Sequence, residues 1–268
     1  GTGYGTRPVA CVKRFEHGKM SKDHIEKLKN EAVIYLSLEH PHIAQLLDVY
    51  EDESELSLVM EYCSGGTLSD VLKERSVFAE SDFKETAVQM LRAVNHIHQA
   101  GIVHRDIKPR NWVYEGGSNH LKLIDFGFSV KSLGDAGDDG LKACLGTLGY
   151  LAPEVVLASH CKNATYTEKC DVWSLGVVFY ELLTGQAAFD REAGSCEGYT
   201  QECILREIED VTPEKIESLL LDIPEGARPF LRRLLTHDGD ARPCASEALS
   251  DPYLMASHEA LLQPDLAL

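Results

Sequence analysis

The run His104-Arg105-Asp106-Ile107-Lys108-Pro109-Arg110-Asn111 constrains this chain more than any other stretch. It is followed, in order, by Asp125-Phe126-Gly127, Gly146-Thr147 and Ala152-Pro153-Glu154. A lone Asp or Asn in a loop is usually a turn former. Here a carboxylate (Asp106), a cation (Lys108) and two hard-oxygen side chains (Asn111, Asp125) fall in register within one short stretch.

The chain around this run divides by pattern. Val9 to Phe15 is β-like, and Ser21 can cap a helix running through Leu38, with Ile25, Leu28, Ala32 and Tyr35 near helical spacing. Ile43 to Tyr50 and Leu56 to Glu61 read as paired strands, and Cys63-Ser64-Gly65-Gly66 breaks the pattern as a hinge. Beyond it the chain turns helical. Glu80 to Ala100 is strongly amphipathic, Asp171 to Thr184 is apolar enough to be a buried helix, and Gly226 to Leu235 and Ala245 to Leu249 are shorter helices. No internal repeat and no low-complexity linker interrupts them. A β-rich lobe meeting an α-rich lobe leaves a cleft, the usual place for a ligand.

In order and spacing these motifs resemble the protein kinase family over essentially the whole chain, Ser/Thr type. The resemblance implies an α+β, two-lobed protein kinase fold over 1–268: a small β-rich N-lobe with one helix (1–62), a hinge (63–66) and a larger α-helical C-lobe (67–268). It implies ATP and Mg²⁺ as cofactors and protein Ser or Thr hydroxyls as acceptors. Carried over residue by residue, Asp106 is the catalytic base, Lys108 steadies the transferring phosphoryl group, and Asn111 and Asp125 hold magnesium. Lys13, in Val9-Ala10-Cys11-Val12-Lys13, reaches the phosphates and pairs with Glu31. Met60 is the gatekeeper of the adenine pocket, Glu61 and Cys63 offer backbone groups to adenine, and Cys11 and Val113 sandwich the ring. Asp171 braces the catalytic loop, Arg242 pairs with Glu154, and Thr147 bonds Asp106 and Lys108. A kinase acting on small molecules is disfavoured by Thr147-Leu148-Gly149-Tyr150, a segment that seats a peptide in the family.

The chain also departs from the pattern. Gly1, Gly3 and Gly5 resemble the glycine-rich phosphate loop with one residue missing, and Lys13 follows too soon for a second flanking strand. Either residues between that loop and Lys13 are missing, so that Thr6 and Arg7 are not true neighbours, or the loop is degenerate; the intact downstream set favours the first. A degenerate loop is the one support for the alternative reading, a pseudokinase or nucleotide-binding scaffold. Thr67 and Arg110 stand where many basophilic kinases have carboxylates, while Glu181 remains, so a preference for arginine upstream of the target hydroxyl is expected to be weak. Tyr166-Thr167-Glu168-Lys169-Cys170-Asp171 and His40-Pro41-His42-Ile43 resemble calcium/calmodulin-regulated kinases, most closely calcium-dependent protein kinases. The run 135–140 starts like a calcium loop but lacks its closing Glu at Gly146, so any regulatory calcium-binding segment lies outside this chain. Arg105 often receives an activation-segment phosphate in the family. That position falls here on Ala143, while Ser129 and Ser132 sit too near Asp125-Phe126-Gly127, so Asp138 and Asp139 are the expected source of negative charge.

Composition narrows the setting. The net charge of -17 argues against nucleic acid and anionic membrane as partners, since both need a positive footprint. It serves solubility and suits basic protein substrates. No apolar run approaches the roughly 20 residues of a membrane span, and Gly1-Thr2-Gly3 lacks the features of a signal peptide. The eight cysteines show no metal-knuckle or redox spacing and read as reduced thiols, mostly in apolar segments, of a cytoplasmic protein.

Overall fold

The computed structural model describes residues 9–131, 143–161, 165–189 and 201–255. The first part is a three-stranded antiparallel sheet of order β1-β3-β2 with one helix against it. Strand β1 is Ala10–Glu16, helix α1 Lys22–Leu36, strand β2 Leu46–Glu51 and strand β3 Glu55–Glu61. The register sets Cys11 opposite Met60 and Lys13 opposite Leu58. Because side chains alternate along a strand, Cys11 and Lys13 share one face. Helix α1 starts where Ser21 caps it, its Oγ accepting from the His24 N–H at 3.3 Å. It buries Ala32 and Tyr35 and half-buries Ile25 and Leu28. Ile43 lies outside the sheet that the alternation predicts from it; it makes a single bridge to Leu123 instead.

The rest is helical around two small ribbons. Helix α2 (Leu68–Arg75) was not foreseen; Thr67 caps it in a reciprocal capping box with Asp70. Helix α3 (Glu80–Gln99) is the expected amphipathic helix. Strand β4 (Ile102–Val103) leads into the 104–111 loop, and β5 (Trp112–Tyr114) leaves it. Strand β6 (Leu121–Leu123) pairs antiparallel with β5, and β7 (Val130–Lys131) pairs antiparallel with β4. The two ribbons therefore set the 104–111 loop beside the 124–129 loop. Helix α4 (Pro153–His160) precedes α5 (Lys169–Thr184), which is buried almost all round and ends on Gly185 in the left-handed conformation. Helices α6 (Gln201–Glu209), α7 (Pro213–Leu220), α8 (Arg228–Leu234) and α9 (Ala245–Leu249) follow. Phe83, Phe179 and Phe230 interleave α3, α5 and α8 in the main core.

The irregular stretch after β3 lies along β5: Gly65 N–H donates to the Tyr114 carbonyl and Tyr114 N–H to the Gly66 carbonyl, each at 2.9 Å. A Cβ on Gly65 would come within 2.6 Å of the Tyr114 Cβ, so this approach needs glycine. Of the described cysteines, only Cys170 is buried. Cys11 and Cys161 are exposed and the others partly so. Cys196, Gly1, Gly3, Gly5, the Thr6–Arg7 link, Ser132, Asp138 and Asp139 lie outside the described residues. Among the described residues no helix is long and apolar enough to cross a membrane.

Candidate active site

The 104–111 loop is braced from below by Asp171, at the start of α5. Its Oδ2 accepts from the His104 N–H at 2.8 Å and lies 2.9 Å from His98 Nε2, while Oδ1 accepts from the Arg105 N–H at 2.8 Å. The carboxylate is fully buried. Burial alone would raise its pKa, but the His98 hydrogen bond, the neighbouring imidazoles and the backbone N–H together bring it below the ordinary value. This bracing holds Arg105 at φ 66, a left-handed conformation costly for a side-chain-bearing residue. Burial pushes the His104 imidazole below its usual pKa, and its Nδ1 accepts from the Asp106 N–H at 3.2 Å.

Asp106 sits at the centre. Its Oδ1 accepts from Thr147 Oγ1 at 2.6 Å, and its Oδ2 from Asn111 Nδ2 at 3.0 Å, with Lys108 Nζ 2.7 Å from Oδ2. Lys108 Nζ also donates to Thr147 Oγ1 at 2.7 Å. Asn111 Nδ2 donates as well to the Asp106 carbonyl at 2.8 Å, which leaves the amide oxygen as its ligating atom.

Asp125 adopts φ 73. Its backbone N–H donates to the Tyr35 hydroxyl at 2.5 Å, and its Oδ1 accepts from the Gly127 N–H at 3.1 Å. Phe126 is buried between Tyr35 and His104, with ring centroids 4.7 and 5.1 Å away. Helix α1 is thereby tied to the 124–129 loop. Across the cleft Lys13 Nζ stands 3.8 Å from Glu31 Oε1, an ion pair too long for a hydrogen bond. Burial raises the Glu31 pKa, with the Lys13 charge opposing and the Asp125 charge adding to the rise.

Met60 is buried, whereas Cys11 is exposed and Val113 and Cys63 are partly exposed. The Glu61 side chain pairs with Lys122 and accepts from the Gln45 N–H at 3.1 Å, fixing the end of β3. A cavity of about 400 Å³ lined by Val71, Phe78, Asp82, Thr86 and Tyr114 contains none of these residues. The cavity is set apart from the Asp106 neighbourhood, where a carboxylate, the Lys108 cation and the Asn111 amide meet. Among the described residues no group of three or more His, Cys, Asp or Glu is placed to hold an ion. The Asn111 amide oxygen and the Asp125 carboxylate are hard-oxygen groups of the kind magnesium takes, one or two at a time, together with phosphates.

Sequence reasoning missed His98 and the polar contacts of Tyr35 and Tyr166, which it places only in a helix and in a family motif. Glu154 and Arg242 are paired as expected, at 2.6 and 3.0 Å, with Arg242 buried.

The fold and this site define a protein kinase. The family model described as protein kinase domain matches residues 3–254. CDPK-related kinase 1 of Arabidopsis thaliana is 34% identical over 248 residues, 90% of this chain and 40% of that protein. Calcium/calmodulin-dependent protein kinase type 1 of Macrobrachium nipponense is 33% identical over 236 residues, 88% of this chain and 64% of that protein. Serine/threonine-protein kinase cds1 of Schizosaccharomyces pombe is 35% identical over 242 residues, 89% of this chain and 50% of that protein. The chain belongs to the protein kinase family, and it is similar to Ser/Thr kinases of the calcium-regulated group. It spans 40% and 34% of the length of two of the curated relatives it matches.

Proposed function

We propose that this chain transfers the γ-phosphate of ATP to Ser or Thr hydroxyls of proteins. The observation that carries the reading is the Asp106 carboxylate, held at once by Thr147, Lys108 and Asn111. Asp106 accepts the hydrogen bond, and then the proton, of the attacking hydroxyl. A bond forms between that oxygen and the γ-phosphorus as the bond to the bridging β–γ oxygen breaks, and ADP carries the electron pair away. Lys108 faces the charge on the transferring group. Lys13, aimed by Glu31, holds the α- and β-phosphates. Magnesium, when bound through Asn111 and Asp125, neutralises phosphate charge. Met60, Cys11, Val113 and the backbone of Glu61 and Cys63 form the adenine slot, with Gly1, Gly3 and Gly5 as the phosphate cover.

The lobes divide at 63–66, with 1–62 on one side and 67–268 on the other. A cytoplasmic setting belongs to the same reading and is supported by the thiols of Cys11, Cys63, Cys144, Cys161, Cys170 and Cys244. Control by a calcium-binding segment outside residues 1–268 is supported by the likeness to calcium-regulated relatives. The test is a transfer assay with γ-labelled ATP and a Ser/Thr peptide, beside a nucleotide thermal shift on the same preparation. Label on the peptide supports the kinase. A shift without transfer makes the chain a nucleotide-binding scaffold.

A further inference from the structure

Arg105 and Tyr166 form a clamp that the transfer chemistry does not use. Arg105 Nε donates to the Phe128 carbonyl at 2.6 Å, at the start of the segment that leads away from Asp125-Phe126-Gly127. Its Nη1 donates to the Tyr166 hydroxyl at 3.4 Å, and that hydroxyl donates onward to the Ala143 carbonyl at 2.9 Å. Both ends of the stretch between residues 128 and 143 are thus joined through one guanidinium and one phenol. Three residues after Ala143, Gly146 runs so close to the Arg105 carbonyl that a Cβ there would stand 2.5 Å from the oxygen. Thr147 follows and reaches Asp106. Tyr166 is buried, so its oxygen is held in place by packing.

Ala143 has no hydroxyl to carry a phosphate. A phosphate would bring a charge of about −1.5 to −2 and several acceptor oxygens to an arginine. The phenol offers one acceptor and one donor and no charge, but it is covalently part of the chain. We propose that Tyr166 is a positioning residue that fills the place of an activation-segment phosphate, tying Ala143 to Arg105 so that the peptide-seating stretch 143–151 is ordered without phosphorylation. The proposal rests on the kinase reading for its effect on catalysis, though not for the clamp itself.

The experiment compares the whole chain with Tyr166→Phe, which keeps the buried ring and removes only the oxygen, and with Arg105→Met, which leaves Tyr166 in place. Backbone hydrogen exchange is followed over 143–151 and, as a control, over α5. In parallel, peptide and ATP kinetics are measured after phosphatase treatment. Wild type should keep its rate after phosphatase. Tyr166→Phe should raise the peptide KM roughly tenfold, the factor that one lost hydrogen bond to a charged partner supplies, with the KM for ATP unchanged. Both variants should exchange faster over 143–151 and at wild-type rates in α5. Should Tyr166→Phe fail to fold, Arg105→Met decides alone. Wild-type exchange over 143–151 in the folded variants would overturn the clamp, and so would loss of wild-type transfer on phosphatase treatment alone. If the wild-type chain transfers no phosphate at all, the kinase reading fails while the exchange data still judge the clamp.

Discussion

Thr147 Oγ1 donates to Asp106 Oδ1 at 2.6 Å, and Lys108 Nζ donates to that same threonine oxygen at 2.7 Å. A residue just ahead of α4 thereby sets the direction of the carboxylate and of the cation. Thr147→Ala removes a hydrogen bond to a charged group, worth about 1.5–3 kcal/mol. The expected result is a kcat lower by roughly ten- to a hundredfold, with Thr147→Ser near wild type. Steady-state peptide kinetics check this; an alanine variant at full kcat would reduce the contact to packing.

The Lys13–Glu31 pair makes a different prediction, since it spans 3.8 Å and Glu31 Oε1 finds no hydrogen-bond donor. Lys13→Met should nearly abolish transfer, because it removes the cation aimed at the phosphates. Glu31→Gln should raise the KM for ATP without lowering the melting temperature at pH 7. The sign follows from the raised Glu31 pKa: burial disfavours the charged form, so above its folded pKa the carboxylate costs stability that the amide does not. A Tm for Glu31→Gln several degrees below wild type would show that the ion pair outweighs burial.

Four imidazoles cluster where the loop after α1 meets α3 and the β5–β6 turn, His40 and His96 stacked and the other pairs tilted. His40 lies 4.9 Å from His96 and 5.5 Å from His42, and His42 lies 4.5 Å from His120. Burial first, then His96 and His42, Arg92 of α3 and His120, lower the His40 pKa from 6.5 to about 4. Burial lowers that of His42 as well, against the pull of its hydrogen bond to the Leu121 carbonyl and with repulsion from His120, Arg92 and Lys122. A histidine lowered on folding binds its proton first in the unfolded chain, so stability falls as pH drops from 6.5 towards 4. Tm should therefore decline between pH 7 and pH 5, and His40→Asn should flatten the decline. A variant with an unchanged slope would place the acid sensitivity elsewhere.

Substrate choice turns on Arg110, an exposed cation beside the Asp106 loop. Thr67, its companion departure from the basophilic pattern, is occupied with capping α2. Glu181 accepts from the Tyr150 hydroxyl at 2.8 Å, and burial raises its pKa. A peptide array should show no dominant arginine three residues before the target, and Arg110→Glu should increase selection for it. A strong upstream-arginine preference in wild type would contradict this account.

Much of this was legible in the sequence because phosphoryl transfer needs fixed residue types at fixed places. Asp106, Lys108, Asn111 and Thr147 come together as the motif spacing implies, α1 and α3 follow their apolar periods, and α5 is buried almost all round as its apolar run implies. Helix α2 was missed because Thr67 and Asp70 form a short capping box that reads equally well as loop. The polar contacts of Tyr35, His98 and Tyr166 were not legible, for a physical reason. Each acts through one polar atom on a partner distant in the chain, 90 residues for Tyr35 to Asp125 and 73 for His98 to Asp171, and buried aromatic positions look alike whether or not their polar atom is used.

The central claim is that Asp106 receives the proton of the attacking hydroxyl. The direct measurement is γ-phosphate transfer to a Ser/Thr peptide by wild type and by Asp106→Asn, with nucleotide thermal shifts on both. Asparagine keeps the size and most of the hydrogen bonding but cannot take the proton, so transfer should fall at least a hundredfold, within the range expected for general base catalysis of roughly 10²–10⁴, while the nucleotide shift persists. An Asp106→Asn protein that retained most of the wild-type rate would contradict the account.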